Sequence, residues 1–268
     1  MIPAPRPAIA PLALEEEHLL GMAEMGFSGL SEQWLMRRAG DMHWRLIARA
    51  LGQRDAAFTC AEGKPLYATF LASSLRLTAP RLPQLCDRLG LSARLWSIGR
   101  NRLASEITLG VPGGMVGRLR LVSTFAGRLD PASNRTMVRR MPPAIAVLPE
   151  APFALQNLAR RAALVSRRMG GPAAGNRTAT VRPCVATDFN AAGLLYFPSF
   201  TALTDRCDDP VTQAQRRLLA ERHVVYSGNI ELGEQVSVSY KDRKMGHLAR
   251  VVREDGQTIA VLSTRFAG

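Results

Sequence analysis

The stretch DFNAAGLLYFPSF (Asp188 to Phe200) sets a carboxylate and a carboxamide two residues apart, just ahead of an apolar run. Its pattern predicts a helix from about Ala192 to Arg206. Backbone N–H groups at a helix start attract negative charge, so Ala192 and Gly193 are candidate donors to a developing anion, with Asn190 adding a side-chain donor and Phe189 beside it. Removing one preorganised donor of this kind commonly costs about 2.7 to 4 kcal/mol of barrier stabilisation. Asp188 and Asn190 are also ordinary turn and capping residues, and Asp188 is expected to support the loop. Tyr67, in LYATF, is a second candidate. A phenol is a poor nucleophile at neutral pH unless positive charge or hydrogen bonds stabilise the phenolate, and a strand tyrosine can equally be packing. His43 is a candidate acid or base, although a lone histidine on an apolar helix is more often a core residue.

The elements that must position these residues form one plan written twice. Helical spacing runs from about Ser31 to Leu51, with Ser31 as N-cap, Glu32 able to complete the cap and Gly52 as stop. Extended segments follow at Ala56 to Ala61, Leu66 to Leu77, Ser92 to Leu109 and Gly117 to Arg128. In the second half a strand at Arg177 to Val185 leads into the Asn190 loop and its helix. Strands near Arg222 to Leu232, Gln235 to Tyr240, Lys244 to Arg253 and Thr258 to Phe266 come after. LRLVSTFAGR ends the first unit and IAVLSTRFAG the second, and IGRNRLASEITL is echoed by YKDRKMGHLARV. The expected units are 1–130, a basic connector 131–176 and 177–268. Within the connector, Leu155 to Arg168 looks helical, and Arg160, Arg161, Arg167 and Arg168 could contact an anionic partner, although a solvated basic face is the more common meaning of such a run.

Thirty-five basic and 22 acidic residues give a net charge of +13, which attracts polyanions without choosing among them. Cys60, Cys86, Cys184 and Cys207 lack zinc spacing and are expected to be buried reduced thiols, with no metal site. No stretch reaches the roughly 20 apolar residues of a membrane span. The Pro-rich N-terminus lacks a secretory pattern, so a cytoplasmic location is expected. Aromatics interleaved with exposed basic residues are missing, which disfavours nucleic acid.

A helix wrapped by an antiparallel sheet after a polar loop is the hot-dog layout, and DFNAAGLLYFPSFTALTDR resembles the loop and central helix of hot-dog thioester enzymes. The expected fold is therefore α+β, a double hot-dog with two antiparallel sheets each around a central helix. More narrowly, MGFSGLSEQWLMRRAGDMHW (Met25 to Trp44), LYATFLASSLRL (Leu66 to Leu77) and DFNAAGLLYF, in that order, resemble the leinamycin-type bifunctional acyltransferase/decarboxylase family of polyketide pathways. That resemblance implies conversion of a methylmalonyl-type acyl-CoA to a propionyl group on an acyl carrier protein. It also implies that Tyr67 matches a tyrosine proposed to accept the acyl group as an ester, the alternative being that Tyr67 only donates a hydrogen bond to the carboxylate or enolate. Coenzyme A would be present as a thioester substrate, with no tightly bound cofactor. The alternatives are hydrolysis or dehydration of an acyl thioester, and a non-catalytic domain binding a carrier protein or RNA. Exposed sheet edges lead to the expectation of a homodimer.

Overall fold

The computed structural model describes residues 10–169, 177–208 and 218–267. The first repeat contains β1 (Leu12–Leu19), the small hairpin β2 (Met25–Gly26) and β3 (Gly29–Leu30), and α1 (Glu32–Ala50). It continues through β4 (Phe58–Thr59), β5 (Pro65–Leu77), β6 (Arg88–Ile98), β7 (Arg102–Val111) and β8 (Gly114–Arg128). β9 (Met137–Arg139) and α2 (Phe153–Arg167) follow. The second repeat holds β10 (Arg177–Val181), α3 (Val185–Asp188), α4 (Ser199–Cys207), β11 (Leu219–Tyr226), β12 (Val236–Arg243), β13 (Gly246–Arg253) and β14 (Thr258–Phe266).

The strands run in the order β1-β6-β7-β8-β5-β11-β14-β13-β12-β10, with β4 on β5 and β9 on β8. This order reads the same from either end once the repeats are matched. The echoing segments hold equivalent places: β8 and β14 each flank the centre, and β7 and β13 each lie one strand further out. The two half-sheets are fused by β5 pairing antiparallel with β11, over Ala72 to Arg76 and Glu221 to Val225. Residues 65–71 of β5 extend beyond that pairing.

Ser31 caps α1 by accepting a hydrogen bond from the Trp34 N–H, and Leu35, Met36, Ala39, Met42, Leu46, Ile47 and Ala50 are buried in the core. Burying a side chain of Leu or Ile size is worth about 1.5–3 kcal/mol, so this stripe fixes the rotation of α1 against the sheet. Glu32 does not complete the cap; it lies 3.5 Å from Arg222 of β11. On another face of the sheet, Leu155 and Ala159 of α2 pack on Ile98, Ala104 and Val122, while Arg160, Arg161, Arg167 and Arg168 are exposed.

Several expectations need correction. Ser92 to Leu109 is a hairpin, β6 and β7, turning at residues 99–101, where Gly99 has a positive φ that alternation alone does not reveal. The second central helix begins at Ser199 and not at Ala192. Pro198 is its N-cap, and a proline disfavours helical geometry in the residue before it, so helix cannot run through Phe197. Of the cysteines only Cys60 is buried; Cys86 and Cys184 are exposed, Cys207 is half-buried, and all four are free thiols. No helix among the described residues is long and apolar enough to cross a membrane.

Candidate active site

A cavity of about 1150 Å³ lies where β5 outruns β11. Its walls come from both repeats: Leu66 to Leu71 of β5, the loop around Asn190, and the end of β11 with the residues after it, Tyr226 to Asn229. Ligand cavities commonly fall in the range of about 300–1000 Å³, so this one can hold a substrate with a long arm.

Tyr67, Phe189, Asn190 and Ala192 line the cavity. The Tyr67 hydroxyl accepts a hydrogen bond from Arg128 Nη1 at 2.8 Å, and the guanidinium carbon is 5.2 Å from the tyrosine ring centre. Arg128 Nη2 also donates to the Ala192 carbonyl at 2.5 Å and to Asn134 Oδ1 at 2.7 Å. Asn134 Nδ2 in turn donates to the carbonyls of Gly193 and Ile230. Tyr67 and the Asn190 loop, 121 to 125 residues apart in the chain from Tyr67 to Asp188 and Ala192, thus meet through Arg128.

The Asn190 loop is built differently from the expectation. Asn190 Oδ1 accepts from the N–H groups of Ala192 and Leu194, and the Gly193 N–H donates to the Asn190 carbonyl. Gly193 takes a φ of +70°, a left-handed conformation that a residue with a Cβ enters only at a cost. The Ala192 and Gly193 N–H groups are therefore consumed within a turn, and neither belongs to a helix start. They cannot serve as an anion hole in this geometry, and Gly193 is not among the cavity-lining residues.

Asp188 is buried behind the loop and does not line the cavity. It accepts both guanidinium nitrogens of Arg206, at 2.8 and 2.7 Å, and the Cys184 N–H at 2.8 Å. Burial opposes its ionisation, but Arg206 and the Cys184 N–H outweigh it and hold the carboxyl below its ordinary range. Asp188 is thus the loop's anchor. His43 is fully buried, with Nδ1 2.7 Å from Ser105 Oγ and Nε2 2.8 Å from Ser123 Oγ. Burial pushes its imidazole down to about 3, so it is neutral at physiological pH. Both ring nitrogens are occupied and the residue lies outside the cavity wall, so the acid–base role expected for it has no route to a substrate there.

An aromatic group closes the inner wall. Phe70 and Phe197 have ring centres 4.2 Å apart, Trp44 flanks both, and its Nε1 donates to the Ala68 carbonyl. Tyr196 stacks on Trp44, and burial pushes its phenol up to about 12. Arg37, Arg135, Arg139 and Arg253 also line the cavity, Arg135 being paired with Glu234 and Arg253 with Asp255. Among the described lining residues there is no carboxylate, histidine or cysteine. Sequence reasoning missed Arg128 and Asn134. Arg128 is merely the last residue of an echoing strand, and nothing local marks its partner.

No protein-family model matches the sequence, and no curated protein matches it. Solved structures do resemble it. A 12:0-ACP thioesterase from Umbellularia californica aligns at a TM-score of 0.70 and 11% identity, over 97% of this chain and 99% of that one. An acyl-ACP thioesterase from Bacteroides thetaiotaomicron aligns at 0.67 and 12%, over 95% and 98%. A MaoC-like dehydratase from Phytophthora capsici aligns at 0.50 and 12%, over 96% of each chain. The chain has the α+β double hot-dog fold, its two repeats each contributing half of the sheet and a central helix.

Proposed function

We propose that the protein is an enzyme acting on an acyl thioester carried by coenzyme A or by an acyl carrier protein, and that it decarboxylates a methylmalonyl-type acyl group and transfers the propionyl product. One observation carries the reading: the described cavity wall offers the Tyr67 hydroxyl, Asn190 and several arginines, with no carboxylate, histidine or cysteine. Hydrolysis and dehydration ordinarily need a side-chain base aimed at water or at a substrate proton. Decarboxylation needs none. The bond to the carboxylate breaks, carbon dioxide leaves, and the electron pair moves into the thioester carbonyl as an enolate that then takes a proton on carbon from water, leaving hydroxide that solvent neutralises. Donors and positive charge around the oxygen lower that barrier.

Transfer can proceed through Tyr67. Its oxygen bonds to the acyl carbon, the carbon–sulfur bond breaks, and coenzyme A leaves as the thiol with the phenolic proton. The carrier's phosphopantetheine thiol then forms a new carbon–sulfur bond and restores the phenol. The resemblance of DFNAAGLLYF and LYATF to the leinamycin-type acyltransferase/decarboxylase family supports the same reading. So does the net charge of +13, which suits phosphates and acidic carrier proteins.

Thioester hydrolysis or dehydration is the second reading, favoured by solved neighbours whose names are acyl-ACP thioesterase and MaoC-like dehydratase. Among the described residues β1 and β10 are the edge strands of the sheet, which supports a homodimer formed by strand pairing. The test is to incubate the full chain with methylmalonyl-CoA and a phosphopantetheinylated carrier protein and to weigh the products by mass spectrometry. Carbon dioxide with propionyl-carrier is expected. Free acid with coenzyme A would establish hydrolysis instead, and binding of the carrier without turnover would establish a non-catalytic module.

A further inference from the structure

We infer that Arg128 is the positioning residue that activates Tyr67, holding the phenol oxygen beside a guanidinium that pairs with no carboxylate among the described residues. The inference rests on the acyl-thioester reading above and adds to it the group that makes Tyr67 competent.

The geometry is specific. Arg128 is half-buried at the end of β8, two residues beyond Ala126, the residue paired with Tyr67. Its fork is fully directed: Nη1 to the Tyr67 hydroxyl, Nη2 to the Ala192 carbonyl and Asn134 Oδ1, and Nε to Asn134 Oδ1. Every one of these acceptors is neutral. Several other half-buried or buried arginines are arranged otherwise: Arg38 and Arg120 each face a glutamate, Arg177 faces Asp208 and Asp242, and buried Arg222 faces Asp205 and Glu32. No ion pair is formed by Arg128 among the described residues, whose hydrogen bonds run only to a hydroxyl, an amide and a carbonyl.

A guanidinium in a partly buried site attracts negative charge strongly, because the local dielectric is low. Charge that develops on the Tyr67 oxygen as it attacks, or on a substrate oxygen bonded to it, forms 2.8 Å from Arg128 Nη1. Since that N–H already donates to the phenol oxygen, the hydroxyl's own proton is left to point elsewhere. Asn134 fixes the fork by bridging it to the carbonyls of Gly193 and Ile230. Ala192 brings in the second repeat, so that the Tyr67 site is completed only when both repeats are folded together.

A structural arginine and a positioning arginine can be told apart by chemical rescue. In Arg128→Ala, kcat for the thioester reaction should fall about a hundredfold or more while KM changes less than about threefold. Guanidinium chloride at about 50 mM, well below denaturing concentrations, should recover about tenfold of that kcat in Arg128→Ala and none in Tyr67→Phe. Wild-type kcat in Arg128→Ala, a loss that guanidinium does not rescue, or an equal gain in Tyr67→Phe would each overturn the assignment. If Arg128→Ala does not fold, Arg128→Lys decides: a fall of about tenfold in kcat with KM held supports it, and an unchanged kcat overturns it. A wild-type chain without turnover on any acyl thioester would sink the underlying reading, and the assignment with it. Wild-type turnover beside an unaffected variant would sink the assignment alone.

Discussion

The ring of Phe197 lies so close to Gly40 that a Cβ added at Gly40 would stand 2.7 Å from Phe197 Cε1 and 2.9 Å from Cζ. Gly40 is on the buried face of α1, and Phe197 belongs to the loop that closes the cavity from the second repeat. The glycine lets the two repeats approach. Gly40→Ala should therefore displace Phe197 and cost about 1–3 kcal/mol through overpacking, despite the better helix propensity of alanine. A drop in thermal midpoint measured by calorimetry checks this; an unchanged or raised midpoint would contradict the close contact.

Tyr67→Phe removes one hydroxyl and keeps the ring. Thioester turnover should fall about a hundredfold or more, with stability changed by no more than about 1 kcal/mol. Steady-state kinetics beside a denaturation curve separate the two effects, and turnover at the wild-type rate would exclude a chemical role for the hydroxyl.

Asn190→Ala leaves the Ala192 and Leu194 N–H groups without their acceptor. A loss of about 1–2 kcal/mol in stability and a fall in turnover are expected together, because the loop that lines the cavity loosens. Asn190→Asp keeps an acceptor oxygen in place and should retain most of the stability. If both variants unfold alike in urea, the turn does not depend on that oxygen.

His43 tests the opposite case, a histidine that holds structure. His43→Leu strands the buried hydroxyls of Ser105 and Ser123, costing about 2–4 kcal/mol, while turnover per folded molecule stays near wild type. Burial lowers its pKa from 6.5 to about 3, so between those values the unfolded chain binds the extra proton. Stability therefore falls as pH drops from about 6.5 toward 3. Equilibrium unfolding across that range should show a shallower acid loss in the variant than in the wild type.

Glu32 has the reverse sign. Burial raises its carboxyl from 4.5 to about 7, with Arg222 opposing and Asp205 adding to the shift. Between those values the folded chain holds the extra proton, so stability is greatest in acid and is lost as pH rises to about 7. Glu32→Gln should flatten this decline. A stability profile from pH 4.5 to 7.5 that is identical in both chains would place the titration elsewhere.

Much of the fold was written in local pattern. Ser31, the apolar stripe of α1 and the paired echoes of β7 with β13 and β8 with β14 announce themselves through caps and through periods of 3.6 and 2. Tyr67 and Asn190 were legible as candidates for the same reason, since each sits in a recognisable short motif. The second helix was placed too early because the apolar run beginning at Ala192 mimics helical spacing. What displaced it was a side chain, Asn190, folding back on Ala192 and Leu194, together with Pro198.

Alone, then, the sequence pointed to an α+β double hot-dog and to four residues that line its cavity, Tyr67, Phe189, Asn190 and Ala192. Only the tertiary structure decided that β5 and β11 would fuse the halves, that His43 would be sealed between two serines, and that Arg128 would join Tyr67 to Ala192. The division has a physical cause. Caps, turns and periodicity are satisfied within a few residues, whereas the partner of Arg128 lies 61 residues from it, and register across several strands selects which side chains meet.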